Sequence, residues 1–175
     1  MDPQEKLERA LARCSDRIDD SEVMNERDLS FFIGGVIHKT GMNVHFDCEL
    51  AVCFPKMAGK VNRLKKRLGK ENIYPDIVVT TRPWKDVKVV DAAIEVKRMG
   101  SGARPGHMKW QSDQDNIRSD FARLKKLKAA GLCKSAFFAL RFDQCPECYP
   151  LMERIAGDPV KSVISRGHNL QIYRI

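Results

Sequence analysis

The sequence predicts an α/β fold in which a mixed central β-sheet is flanked by helices, within a single domain spanning residues 1–175. The order of the periodic segments, helices first, then a run of strands, a helix and a last strand, is typical of this class. The length of 175 residues and the hydrophobic content of 43% are enough for one ordinary core.

Two amphipathic helices are predicted at the N-terminal end. From Pro3 to Ile18 the apolar residues recur at helical spacing among charged ones, so this segment is expected to be an accessory helix. A second apolar stripe with helical spacing extends from Ser21 to Lys39, and Gly41 is a helix-stop signal.

The strand signals begin after these helices. Residues Asn43 to Phe54 alternate or stay apolar in the manner of a strand. Two further strands, Tyr74 to Thr80 and Val87 to Lys97, are separated by the turn-forming segment Arg82 to Asp86. These two strands are predicted to form a hairpin.

The second half of the chain predicts a loop, a long helix, a strand, a short helix and a last strand. In that order the segments are Gly100 to Gly106, Ser112 to Ala130, Ser135 to Phe142, Tyr149 to Ala156 and Asn169 to Tyr173.

The charge of the chain favours a polyanionic partner. The formal net charge is +8 and the pI is about 9.3, and cationic side chains that neutralise phosphates gain free energy from counterion release. Nucleic acid is therefore the first expected partner, and an anionic membrane surface is the second. No segment has the roughly 20 consecutive apolar residues of a membrane span, and the N-terminus lacks a signal-peptide pattern. We expect a cytoplasmic protein without a membrane partner, with nucleoid association as an option.

The window from Lys56 to Lys70 is the most basic part of the chain, with seven basic residues and no acidic one. Its candidates for phosphate contacts are Lys60, Arg63, Lys65, Lys66 and Arg67. The alternative is a solvated surface segment without a ligand.

Six cysteines raise the question of disulfides or zinc. Without an export signal, reduced thiols are the expected state. Cys145 and Cys148 have the spacing of half a zinc knuckle, which Cys133 or His168 would have to complete. A matching second pair is missing, so a zinc-stabilised interaction protein remains a third hypothesis.

The residues with chemical potential lie on the predicted hairpin. Side chains of a strand alternate between its faces, so Glu95 and Lys97 share one side of their strand. Hairpin pairing would bring Asp76 beside Glu95, and two carboxylates on adjacent strands suit magnesium. Lys97 would then provide positive charge for a phosphate transition state, or accept a proton from water if the metal depresses its pKa. A purely structural alternative is a Pro-Asp turn at Asp76 and a solvent-facing Glu95–Lys97 ion pair.

Pro75-Asp76, a gap of 18 residues and Glu95-Val96-Lys97 resemble the PD-(D/E)XK motif of the restriction-endonuclease-like nucleases. The resemblance extends over residues 22–140 and implies a restriction-endonuclease-like core. It implies catalytic roles for Asp76, Glu95, Lys97 and Glu26, and metal ligands at Asp76, Glu95, Val96 and Glu26. A helical wheel places Glu26 in the inward stripe of its helix, and Glu22 is the fallback. Supporting polar contacts are expected from Gln111, Gln114 and Asp120.

The same resemblance implies an endonuclease that hydrolyses phosphodiester bonds of DNA with metal-activated water. Its cofactor would be Mg²⁺, for which Mn²⁺ can substitute. RNA as substrate and exonuclease action stay open, as do a homodimer and a partner protein that supplies specificity. The alternative from another class is a catalytically silent nucleic-acid-binding or assembly module with the same fold.

Overall fold

The computed structural model describes residues 1–18, 25–69, 73–99, 108–142, 163–166 and 170–175. Within these ranges a mixed β-sheet carries helices on both faces, which confirms the predicted α/β class. The helices are α1 (Pro3–Arg17), α2 (Glu26–His38), α3 (Leu50–Cys53), α4 (Ala58–Leu68) and α5 (Met108–Ala129). The strands are β1 (Asn43–Phe46), β2 (Ile77–Thr80), β3 (Val90–Met99), β4 (Cys133–Phe142), β5 (Val163–Arg166) and β6 (Leu170–Arg174).

The six strands form one sheet in the order β1-β2-β3-β4-β6-β5. Strands β3 and β4 are parallel, and every other neighbouring pair is antiparallel. A parallel pair needs a crossover connection, and α5 lies in the chain between its two strands. This topology places β3 inside the sheet, where α5 packs on it.

Two apolar clusters separate the layers of the fold. Helices α1 and α2 pack with Ile94, Val96 and their neighbours on one face of the sheet. Apolar residues of α3, α4 and α5 pack with Ala93 and Phe138 on the other face. The alternation of β3 that the sequence predicts is confirmed, because Ile94 and Val96 share the first face and Ala93 contributes to the second.

Local signals fix several helix ends. The side chain of Asn25 caps α2 by accepting a hydrogen bond of 2.9 Å from the Asp28 N–H. Gly69 ends α4 with a φ of 62°, and Gly131 follows α5 with a φ of 64°. Both positions require the left-handed conformation that glycine adopts without a Cβ clash.

The strand predicted from Asn43 to Phe54 is wrong beyond Phe46. Asp47 has a φ of 46°, which interrupts the extended backbone. Glu49 then starts α3, because its side chain accepts a hydrogen bond of 2.8 Å from the Val52 N–H. A local cap therefore overrides the apolar pattern that suggested a longer strand.

The other predicted elements hold with shifted ends where the structure describes them. Helix α2 begins at Glu26, and the predicted residues 21–24 before it lie outside the described residues, as do the loop 100–106 and the short helix 149–156. The sequence did not predict β5, which extends the edge of the sheet next to β6. No described helix has the length and apolar character needed to cross a membrane.

The described cysteines fall into two groups. Cys14 and Cys133 are free and buried, in agreement with the expectation of reduced thiols. The sulfur atoms of Cys48 and Cys53 are in close contact with each other beside α3.

Candidate functional site

The β2–β3 hairpin brings Asp76 and Glu95 together. Ile77 pairs with Ile94 in an antiparallel register, so one position further along Asp76 lies opposite Glu95. The carboxylate of Asp76 accepts a hydrogen bond of 2.7 Å through Oδ2 from the backbone N–H of Val96. The two carboxyl groups therefore meet where β2 begins.

Glu95 is a buried carboxylate that forms an ion pair with Arg123. Its side chain is 1% exposed, and its Oε1 lies 2.6 Å from Nη2 of Arg123. The Nε–H of Arg123 donates a second hydrogen bond of 3.1 Å to the same oxygen. Since an unpaired buried charge is costly, the guanidinium of Arg123 offsets part of the cost of ionising Glu95.

Lys97 connects the two layers of the fold. Its Nζ lies 2.9 Å from Oε1 of Glu26 on α2 and 3.4 Å from Oδ2 of Asp120 on α5. Asp120 also lies 3.0 Å from Nη2 of Arg123 through its other oxygen. These contacts join Glu26, Lys97, Asp120, Arg123 and Glu95 into a continuous chain of charges beside Asp76, which we call the charge network.

The acidic members of the hairpin have shifted pKa values. Burial raises the pKa of Asp76, and the hydrogen bond from Val96 and the charge of Lys97 only partly oppose that shift. Burial and the charge of Asp76 raise the pKa of Glu95 well above its usual value, against the opposing effect of Arg123. The pair is therefore short of positive charge, which an additional cation would supply.

The pKa of Lys97 is raised, which favours the charged form of its side chain. Burial by itself lowers the pKa of Lys97, but the hydrogen bond to Glu26 and the surrounding carboxylate charges outweigh it and raise the pKa. The carboxylates around Lys97 therefore favour its ammonium form.

Glu26 reaches the site from a different position than the helical wheel suggests. It is the first residue of α2, and its side chain is 41% exposed instead of buried in the inward stripe. No helical turn precedes Glu26 to bury its side chain. The side chain therefore extends past the start of the helix and contacts Lys97. Glu22, the fallback, lies outside the described residues.

The donor chemistry of Asp76 and Glu95 suits a hard divalent cation. Magnesium is usually held by one or two carboxylates, with water and substrate phosphate completing its shell. In the described part of the chain, no group of three or more His, Cys, Asp or Glu side chains is preformed for a metal. The residues present therefore fit a site of two carboxylates, not a complete protein cage.

The basic window forms α4, and its candidates are not equivalent. Lys65 is 16% exposed, and its Nζ lies 2.8 Å from the buried Glu49. The remaining four candidates are exposed: Lys60, Arg63, Lys66 and Arg67. The segment before α4 is tied to the site, because the N–H of Asp47 donates a hydrogen bond of 3.2 Å to the carbonyl oxygen of Asp76.

The residues predicted to make supporting polar contacts are also not equivalent. Asp120 belongs to the charge network, whereas Gln114 is buried on α5 and is not among the side chains that the described contacts join. The side chain of Gln111 lies outside the described part.

Of the zinc candidates only Cys133 is described, and burial raises the pKa of its thiol to about 11. Cys145, Cys148 and His168 lie outside the described ranges.

Sequence reasoning missed Arg123, which lies in a run of basic residues near the end of α5. A usable signal was its position three residues after Asp120, since such residues are neighbours on a helix surface.

Comparisons with protein-family models, curated proteins and solved structures found no match for this chain.

Proposed function

We propose that this chain is a metal-dependent nuclease that hydrolyses phosphodiester bonds of DNA and has a restriction-endonuclease-like core. One observation carries the proposal. Two carboxyl groups from adjacent strands, Asp76 and Glu95, meet beside Lys97, which is held between two further carboxylates. This arrangement supports the chemistry implied by the PD-(D/E)XK resemblance.

Mg²⁺, or Mn²⁺ in its place, would be held by Asp76 and Glu95, with the Val96 carbonyl oxygen and Glu26 as further proposed donors, and would supply a Lewis acid that lowers the pKa of water. The protein's own residues position the substrate and balance its charge. Lys97, kept as an ammonium by its carboxylate neighbours, stabilises the negative charge that develops on the phosphate during attack.

The basic surface of α4 completes the proposed interface. Its four exposed cations can neutralise backbone phosphates of a bound nucleic acid. Because phosphate contacts carry no sequence information directly, this surface supports binding without base specificity. RNA remains the alternative polyanion.

The proposal is tested by cleavage of supercoiled plasmid, linear duplex, single-stranded DNA and RNA in magnesium, manganese or EDTA. Asp76→Asn and Lys97→Gln should each reduce cutting by at least about 100-fold, because each removes a group that acts on the transition state. The matched controls are Asp91→Asn and Lys134→Gln. These two residues also form a carboxylate–lysine pair on β3 and β4 but lie at the opposite end of the strands.

Loss of cutting in the site variants, with the controls active and all proteins folded by thermal unfolding, supports the nuclease. Equal cutting by every variant would show a contaminating activity and remove the support for the assignment. The same assay decides for the silent binding module if the wild type binds DNA but cuts none of the substrates. The observation that favours that second candidate is the guanidinium of Arg123, which occupies Oε1 of Glu95, an oxygen that a metal would otherwise use.

A further inference from the structure

A cleft of about 320 Å³ opens beside Asp76, between α2 and the end of β1. Its volume is at the lower end of the range for small-ligand sites, roughly 300–1,000 Å³. The residues that line it are Glu26, Arg27, Ser30, Phe31, Phe46, Asp47 and Asp76. The cleft therefore shares Glu26 and Asp76 with the candidate active site, and Lys97 is not among the residues that line it.

One wall of the cleft is an exposed aromatic surface. The side chain of Phe31 is 45% exposed, and its ring lies edge-on to Phe46 with 4.8 Å between the ring centroids. The guanidinium of Arg27 lies 5.4 Å from the centroid of the Phe31 ring. Aromatic rings and arginine planes are the groups on which proteins stack nucleobases.

The charges of the cleft indicate which part of a nucleic acid it can hold. Three carboxylates line the cleft, those of Glu26, Asp47 and Asp76, with one guanidinium, that of Arg27. Lys97 pairs with Glu26, so the carboxylates still outnumber the cations. A phosphate would be repelled by this excess of negative charge. A neutral heterocycle would not, and its exocyclic amino groups can donate hydrogen bonds to carboxylate oxygens.

We propose that this cleft holds one unpaired nucleobase of the substrate strand, stacked on Phe31 beside the phosphate that is cut. The inference rests on the proposed nuclease function and narrows its substrate class. A base inside a continuous duplex must leave its stack to enter such a cleft, which costs free energy that a single-stranded or frayed base does not need. The enzyme therefore prefers single-stranded DNA or frayed ends to intact duplex.

The test measures binding without cleavage. A short fluorescein-labelled single-stranded oligodeoxynucleotide and the blunt duplex of the same sequence are titrated with protein in EDTA, and anisotropy gives the affinities. Phe31→Leu should weaken single-strand binding roughly 5- to 140-fold, the equivalent of losing about 1–3 kcal/mol of base–aromatic stacking, and change duplex binding less than about twofold. Phe31→Tyr should stay within about twofold of the wild type, because it keeps the aromatic face.

Trp84→Leu is the matched control, because Trp84 is an equally exposed aromatic residue outside the cleft. If Phe31→Leu leaves single-strand affinity unchanged, or weakens both substrates equally, the cleft does not hold a base. Arg27→Gln provides a second variant that removes the cation without removing apolar packing. It should lower single-strand affinity in the same direction.

The outcome is separable from that of the proposed function. Cutting that depends on Asp76, combined with binding that ignores Phe31, would retain the nuclease and reject the cleft. Single-strand binding that depends on Phe31, combined with no cutting in any metal, would retain the cleft in a binding module and reject the nuclease.

Discussion

At the scale of single residues, Glu95 dominates the electrostatics of the site. It is buried next to another carboxyl group, so it needs either a proton or a cation nearby. Arg123 supplies that cation through two hydrogen-bonding nitrogens, and Asp120 contacts one of them, Nη2. The stability of the protein should therefore depend on Arg123.

We expect Arg123→Met to lower the free energy of unfolding by about 3–5 kcal/mol at neutral pH, the usual effect of removing one partner of a buried ion pair. The effect should shrink as the pH falls, because protonated Glu95 needs no counter-cation. Urea unfolding at several pH values measures both the effect and its pH dependence. The double variant Glu95→Gln/Arg123→Met should recover part of the stability.

Arg118→Met is the control on the same helix, since Arg118 pairs with Asp115 at the exposed surface. Its effect should stay within about 1 kcal/mol, as for other exposed pairs. Equal destabilisation by Arg118→Met and Arg123→Met would contradict the special position of Arg123.

Gly34 is a second residue whose role can be measured. A Cβ at this position would lie 2.3 Å from Cζ of Phe46, whereas a Cβ at Gly35 would meet nothing within 4 Å. Gly34→Ala should therefore destabilise the protein by about 1–3 kcal/mol, because Phe46 must move. Gly35→Ala should stabilise it by up to about 1 kcal/mol, because alanine favours helix. Thermal unfolding of the two variants tests the close approach of α2 to β1, and a destabilisation at Gly35 as large as at Gly34 would refute it.

At the scale of elements, α4 has two distinct faces. Val61 and Leu64 are buried in the core, while Lys60, Arg63 and their basic neighbours face solvent. The helix is fixed by its apolar face and by the Lys65–Glu49 ion pair. The packing of α4 therefore does not depend on its exposed cations, which are suited to phosphate contacts.

We expect Lys60→Gln/Arg63→Gln to weaken duplex binding and to reduce the slope of log affinity against log salt by about 0.9 for each phosphate that the variant no longer neutralises. Binding is measured in EDTA over a series of salt concentrations. The charge-matched control is Lys125→Gln/Lys126→Gln on the exposed face of α5. If both double variants change the slope equally, net charge and not the position of α4 controls binding.

At the scale of the whole molecule, the parts predictable from the sequence are those with a strong period. The apolar stripes of α1 and α5 and the alternation of β3 each follow from burying one face. Hairpin pairing of β2 with β3 was also predicted, but its register, with Ile77 opposite Ile94, does not follow from the predicted turn Arg82 to Asp86, because β3 begins only at Val90.

The parts that the sequence did not yield depend on tertiary contacts or on single backbone angles. Arg123 is one of several basic residues on α5, and only the packing of α5 on β3 gives it a buried partner. The end of β1 depends on the positive φ of Asp47, which its residue type permits but does not require. Strand β5 gains its identity from pairing with β6, not from a pattern of its own.

The contacts of Lys97 with Glu26 and Asp120 also affect how the chain folds during its synthesis. Glu26 and Lys97 are 71 positions apart, and Asp120 and Arg123 follow later still. Since a protein folds from its N-terminal end as it leaves the ribosome, the hairpin carboxylates are made well before the arginine that neutralises one of them. The charge network is therefore completed only when α5 has docked, so a partly synthesised chain has the strands of the site but not the site.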